Sequence, residues 1–532
     1  MKRILILMCF FASVAISAQI TSATNGDWNT GTTWVGGVVP TITNDVIINH
    51  EVTVEKSGVG ANAKSLTLGG SPARLVVREN TKVTVTGNIS LTRSVDAMIF
   101  YGQQVSGKLG TLIFGGTYTA SKRTQIRKRL TDSKWHLIGN PFNNNRVDWT
   151  TEHVSTKLRD NGTVLSLASY DDSNASGSKY TYYTNVIPLG SGPKFGTAQG
   201  YSISVSAPDA KDDFILQGEM HNGSVSYTLS TGGNGFNLLG NPYVSYLHAN
   251  DAADATNNIL RVNGSNGSNI LAEDTIWLWD GDNDTWITKN LGDASFRIAP
   301  VQGFFVKASS ASAFSFTKSM ESHDETDAFL KSSDNRFEVD LSVAIGKKKT
   351  STSVRYINNT TTDFDNGYDS SIFGGYASTL EIYTNLVAGN SAKKLAIQSL
   401  PNSDYENLVV PVGVTAEANS EITFTVDAKN VPTGYKVFLE DRLNNTFTRL
   451  DEANAEYKAT VTNKSTDGRF YLHTRSAALS TDNIGLGGVS IYTINKNTLR
   501  VAGVNGANAT VKVFSILGQK VLETTFSSTG VS

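Results

Sequence analysis

Polar and apolar residues alternate with a period of two along nearly the whole chain. Between Lys82 and Thr92, Val83, Val85, Ile89 and Leu91 are set among polar neighbours. Phe337, Val339, Leu341, Val343 and Ile345 repeat the pattern, as do Ile422, Phe424 and Val426. Successive side chains of a strand point to opposite faces, so each run offers one apolar face to a core. Convincing helical periodicity is hardly present anywhere, and the pattern predicts an all-β protein. From 19 to 130 the strands are short and separated by Gly and Asn turns. That spacing suits a β-solenoid or β-roll, with a sandwich as the alternative. From 335 to 475 the strands are longer, and seven or more over about 140 residues suit a β-sandwich.

Between these regions lies an internal duplication. Trp135-His-Leu-Ile-Gly-Asn-Pro-Phe142 recurs as Phe236-Asn-Leu-Leu-Gly-Asn-Pro-Tyr243. Downstream, Ala198-Gln-Gly-Tyr-Ser-Ile-Ser-Val205 recurs as Val301-Gln-Gly-Phe-Phe-Val-Lys-Ala308. Gly139 and Gly240 are 101 residues apart, and Gly200 and Gly303 are 103 apart. Two ordered markers at nearly constant offset predict tandem β-rich units, 131–232 and 233–325. Gly and Asn tolerate positive φ and Pro fixes the next turn, so Gly-Asn-Pro reads as a sharp turn and not as a site.

The N-terminus changes the picture of where the chain goes. Lys2 and Arg3 precede an apolar run, Ile4 to Ile16, followed by the small residues Ser17 and Ala18. This is the build of a secretory signal peptide over 1–18, with cleavage expected between Ala18 and Gln19. The run falls short of the roughly 20 apolar residues of a membrane span, and no later stretch reaches it. The single cysteine, Cys9, lies inside this segment, so the mature chain is expected to have no disulfide and no thiolate site. Charged residues make up 18% of the 532, with 46 Lys+Arg against 48 Asp+Glu. That balance gives no support to nucleic-acid binding, which depends on basic surface neutralising phosphates.

Local catalytic motifs are absent. The seven histidines (His50, His136, His153, His221, His248, His323 and His473) are scattered singly. There is no Gly-x-Ser-x-Gly elbow. No cofactor is expected, with one metal candidate. Asp280, Asp282 and Asp284 have the alternate-carboxylate spacing that can wrap calcium, but Thr285 and Leu291 stand where a calcium loop needs glycine and an acid. Trp277, Trp279 and Trp286 flank that turn, and Tyr180, Tyr182 and Tyr183 fall in the matching part of the first unit. Flat aromatic faces beside Asn and Asp are what sugar-binding surfaces use. Trp277 and Trp279 share a strand face, so one packed core layer is the competing reading. The basic run Lys122, Arg123, Arg127, Lys128 and Arg129 reads as a charged strand edge that discourages sheet-to-sheet pairing.

Two stretches resemble known families. Gly26-Asp27-Trp28, Thr33-Trp34-Val35-Gly36-Gly37-Val38-Val39-Pro40 and Asn44-Asp45-Val46-Ile47-Ile48 are similar to the start of β-rich modules in secreted Bacteroidetes proteins. Ile491-Tyr492, Thr498-Leu499-Arg500-Val501 and Phe514-Ser-Ile-Leu-Gly-Gln-Lys-Val521 resemble the type A C-terminal sorting domain of the type IX secretion system. The usual Asn-Pro after the first tyrosine is replaced by Thr493-Ile494-Asn495, and the family's last strands do not follow. The expectation is a truncated sorting domain, 489–532, after a small-residue linker, 476–488. The resemblance implies export through Sec and then the type IX machinery to the medium or the outer cell surface. The leading expectation is a non-catalytic protein that adheres to polysaccharide or other surface material. The alternatives are a polysaccharide lyase or glycosidase with acids from distant strands, and a structural spacer.

Overall fold

The computed structural model describes residues 19–526 except 56–58, 93–96, 103–107, 121–123, 131–133, 144–157, 159–160, 175–177, 185–194, 206–212, 282, 324–335, 376–378, 389–392, 477–489, 496–497, 503–508 and 516–518. The fold is all-β. Among the described residues there is one short α-helix, Ile259–Asn263, and no helix long and apolar enough to cross a membrane.

The N-terminal strands wind into a β-solenoid of about four turns. Each strand pairs in parallel with its counterpart one turn on: Val46 opposes Leu66, Leu66 opposes Ile89, and Val52 opposes Leu75. Alternation puts these residues inside, where like stacks on like and all are buried. The corners are tight. A Cβ on Gly87 would sit 2.7 Å from the Lys64 carbonyl oxygen, and the Asn88 side chain accepts the Thr117 N–H at 2.9 Å. Trp28 and Trp34, both buried, meet edge to face at 5.0 Å. At the other end Thr124–Arg129 lies between Met98–Gly102 and the antiparallel Asp213–Gly218. The basic strand is therefore interior to its sheet, not an edge, because a strand from the first repeat unit covers it.

The duplicated region forms two four-stranded sheets with the same strand order. In the first, Trp135–Gly139 pairs Gly200–Ser204, which pairs Val164–Tyr170, which pairs Tyr180–Thr184. In the second, Phe236–Gly240, Gly303–Lys307, Thr275–Asp280 and Thr285–Asn290 follow in the same sequence. The two are joined about a local two-fold relation. Ile138 bridges Gln302 and Leu239 bridges Gln199. The Gly139 N–H donates to Val301 O at 3.1 Å, and the Gly240 N–H to Ala198 O at 2.8 Å. Ala198 and Val301 both take positive φ, 57° and 62°. The expected units differ at their edges: Asp213–Gly218 extends the solenoid, and Val225–Thr228 pairs Ala313–Phe316 of the second copy.

From Glu338 to Ser476 the strands form one hydrogen-bonded sheet of eleven. It curls until its ends meet. Phe424 and Phe470 touch at 4.8 Å across the core, and Thr446 on one end strand donates to the Tyr457 hydroxyl on the other at 3.2 Å. The tail forms two separate hairpins, Ser490–Asn495 with Thr498–Ala502 and Ala509–Phe514 with Lys520–Phe526.

Candidate functional site

The Gly-Asn-Pro segments turn out to be buried joints. Asn140 and Asn241 each accept the N–H two residues on, at Phe142 (3.2 Å) and Tyr243 (2.9 Å). The Asn241 amide also donates to the carbonyls of Ser245, Ile298 and Ala299. This geometry makes them structural, in agreement with the turn reading.

The joint sets the aromatic strands of the two copies side by side, and the curled sheet closes over them. Trp277 is fully buried, and its indole N–H donates to Ser371 O at 3.0 Å. Phe373, from the same loop, wedges among Phe236, Trp286 and Phe305 at 4.8, 3.9 and 4.7 Å. Thr275 meets Ser370 at 2.9 Å, the Asn290 amide donates to Tyr368 O at 2.7 Å, and Glu273 accepts the Ser371 N–H at 2.9 Å. Arg355 reaches Asp293 at 2.8 Å with both side chains buried. Within the repeats, Asp172 accepts from Tyr170, Lys179 and the N–H groups of Asn234 and Phe236. Burial works to raise this carboxyl, but those hydrogen bonds outweigh it and hold its pKa below the ordinary range.

Where the three parts meet a cleft of about 400 Å³ stays open. Trp135, Leu137, Tyr180, Tyr182 and Ser202 come from the first copy, and Trp279, Asp284, Thr285, Trp286 and Thr288 from the second. The curled sheet supplies Lys348, Thr350, Phe373, Thr379 and Glu381 among others. The strand pairing explains the convergence. Leu137, Ser202 and Tyr182 are linked in register across one sheet, and Trp279 faces Trp286 across a hairpin of the other. Trp279 and Trp286 lie 5.0 Å apart with planes inclined by 61°, and Trp135 and Tyr182 lie 5.9 Å apart at 64°. Tyr182 is 40% exposed. Neither indole N–H of Trp279 and Trp286 has an acceptor among the described residues.

Four of the six aromatics singled out thus gather at one cleft, Tyr180, Tyr182, Trp279 and Trp286, while Tyr183 packs against the neighbouring core. Trp277 does not line the cleft, being packed into the core beneath. Trp135, Phe373, Lys348 and Glu381 were missed. Trp135 stands in the repeat marker, where only the repetition sets it apart, and nothing local distinguishes Phe373. Asp280 accepts from the Asn283 amide at 2.7 Å, as a turn residue does. Asp282 lies outside the described residues, as do 1–18 and so Ala18, while Gln19 begins the first strand. Among the described residues no three His, Cys, Asp or Glu gather as a metal-ligand set. Burial lowers His221 and His323 to about 4, leaving both neutral.

No curated protein and no solved structure matches the chain. One family model does, over residues 163–473. Its span takes in most of the duplicated sheets and nearly all of the curled sheet, including every cleft residue except Trp135 and Leu137. A match over more than half of the chain, covering the parts that pack together around the cleft, shows that this protein belongs to the family described as Domain of unknown function (DUF8693).

Proposed function

We propose that the protein is exported and binds carbohydrate at the cell surface, without turning it over. The observation that carries this reading is the cleft, where aromatic rings from two sheets converge with the hydroxyls of Ser202, Thr285, Thr288, Thr350 and Thr379. A sugar ring offers apolar C–H faces to such rings and hydroxyls to such partners. The signal-like segment 1–18 and the sorting-domain-like tail support an exported address, with the type IX machinery as the partner in transit. A glycan array on the purified protein, run beside a reducing-sugar release assay, tests the reading. Binding that Trp279→Ala and Tyr182→Ala both weaken, with no sugar released, is the expected result. No binding across the array would sink it.

A second reading, glycoside cleavage, has one specific observation behind it: Asp284 and Glu381 line the same cleft. Sugar release abolished by either Asp284→Asn or Glu381→Gln would establish that reading in place of the first.

A further inference from the structure

The shape of the cleft narrows the ligand class. A surface that holds the flat face of an insoluble polymer needs exposed rings in one plane. Here the paired rings are inclined by 61° and 64°, and Trp286 and Phe373 by 35°. They form walls, not a plate. The volume, about 400 Å³, sits near the lower end of the roughly 300–1,000 Å³ of small-molecule clefts. The polar lining is mainly hydroxyl. Among the described residues its one ammonium, Lys348, bonds the Thr379 hydroxyl at 3.2 Å, while Asp284 and Glu381 supply two carboxylates. Hydroxyl groups both donate and accept and so match this lining, whereas a uronate or sulfate ring would meet like charge.

We infer that the cleft takes about one or two rings of an uncharged, soluble oligosaccharide, a chain end or side branch gripped from two sides. This rests on the carbohydrate reading above and goes beyond it in naming size, charge and presentation. Its walls come from both copies and from the curled sheet, so the duplication itself builds the grip.

The test is calorimetric titration of the purified protein with gluco-, manno- and xylo-oligosaccharides of one to six rings, and with oligouronates of matched length. Pull-down on the insoluble polymers runs in parallel. Affinity should rise from one ring to two and stay level beyond, with the uronates weaker. Tyr182→Ala should weaken binding about three- to tenfold, the scale of one lost aromatic contact. Its thermal midpoint should move by no more than a few degrees, because that ring is already 40% exposed. Affinity climbing through four to six rings would overturn the inference while leaving the carbohydrate reading intact. So would uronates binding as tightly as neutral chains, or retention on an insoluble polymer that a saturating disaccharide does not compete. No binding to any probe, together with an empty glycan array, would overturn both.

Discussion

Adding one methyl group at the joint between the two copies is expected to push them apart. A Cβ on Gly139 would lie 2.5 Å from the Gly240 Cα, 2.7 Å from the Asn241 N and 2.8 Å from the Gly240 C. One on Gly240 would lie 2.3 Å from the Gly139 Cα and 2.9 Å from the Gln199 O. All of these are backbone atoms of strands locked in their own sheets, so no side chain can swing aside. Overpacking costs about 1–3 kcal/mol where side chains can yield, and Gly139→Ala or Gly240→Ala should cost about 3 kcal/mol. For a unit of this size that lowers the midpoint by about 6–12 °C. The double variant should cost at least about 1 kcal/mol less than the sum, since the second methyl enters a gap the first has opened. Gly70→Ala, where a Cβ meets nothing within 4 Å, is the control and should stay within about 0.5 kcal/mol of the parent. Tryptophan fluorescence reports the transition, because Trp135, Trp277, Trp279 and Trp286 all lie in the duplicated sheets. Single variants as stable as the control would refute the close backbone approach at the joint.

Two further outcomes can be checked by denaturation. Asn241→Ala strips a hydrogen bond from each of three carbonyls and should cost about 3 kcal/mol, more than Asn140→Ala, whose amide serves two; equal costs would show that the extra bonds contribute nothing. Burial pushes the Asp369 carboxyl up to about 7, against the pull of the N–H groups of Asp365 and Ser399. The folded state therefore holds a proton that the unfolded chain releases near 4, and this stability is full below pH 4 and lost as pH rises through 7. The loss is on the order of 4 kcal/mol, and Asp369→Asn should flatten the stability profile between about pH 4 and 7. An unchanged slope would place the titration elsewhere.

The all-β class, the short-strand winding of 19–130 and the tandem copies were legible in the chain because they follow from local rules. Period-two alternation assigns a face to each side chain, and a repeated segment in a repeated context folds the same way twice. Tyr180, Tyr182, Trp279 and Trp286 were legible as candidates for a related reason, since aromatics clustered at matching places in two copies end on matching faces. Their meeting was not legible. Trp277 and Trp279 share a strand face, yet Trp277 is sealed under Ser371 and Phe373 while Trp279 borders the cleft. The difference is made by a loop about 95 residues away, whose approach no local pattern encodes. The role of Gly139 and Gly240 was hidden in the same way. A glycine reads as a turn from sequence because its φ freedom is local, whereas these two are small because another copy's backbone passes within a methyl's reach. That the strands of 338–476 join in one hydrogen-bonded sheet was likewise hidden, since strand number and length are local and the pairing order that joins them is not. Alternation decided which side chains face inward, and only the packing of three separate sheets decided which of those face a ligand-sized space.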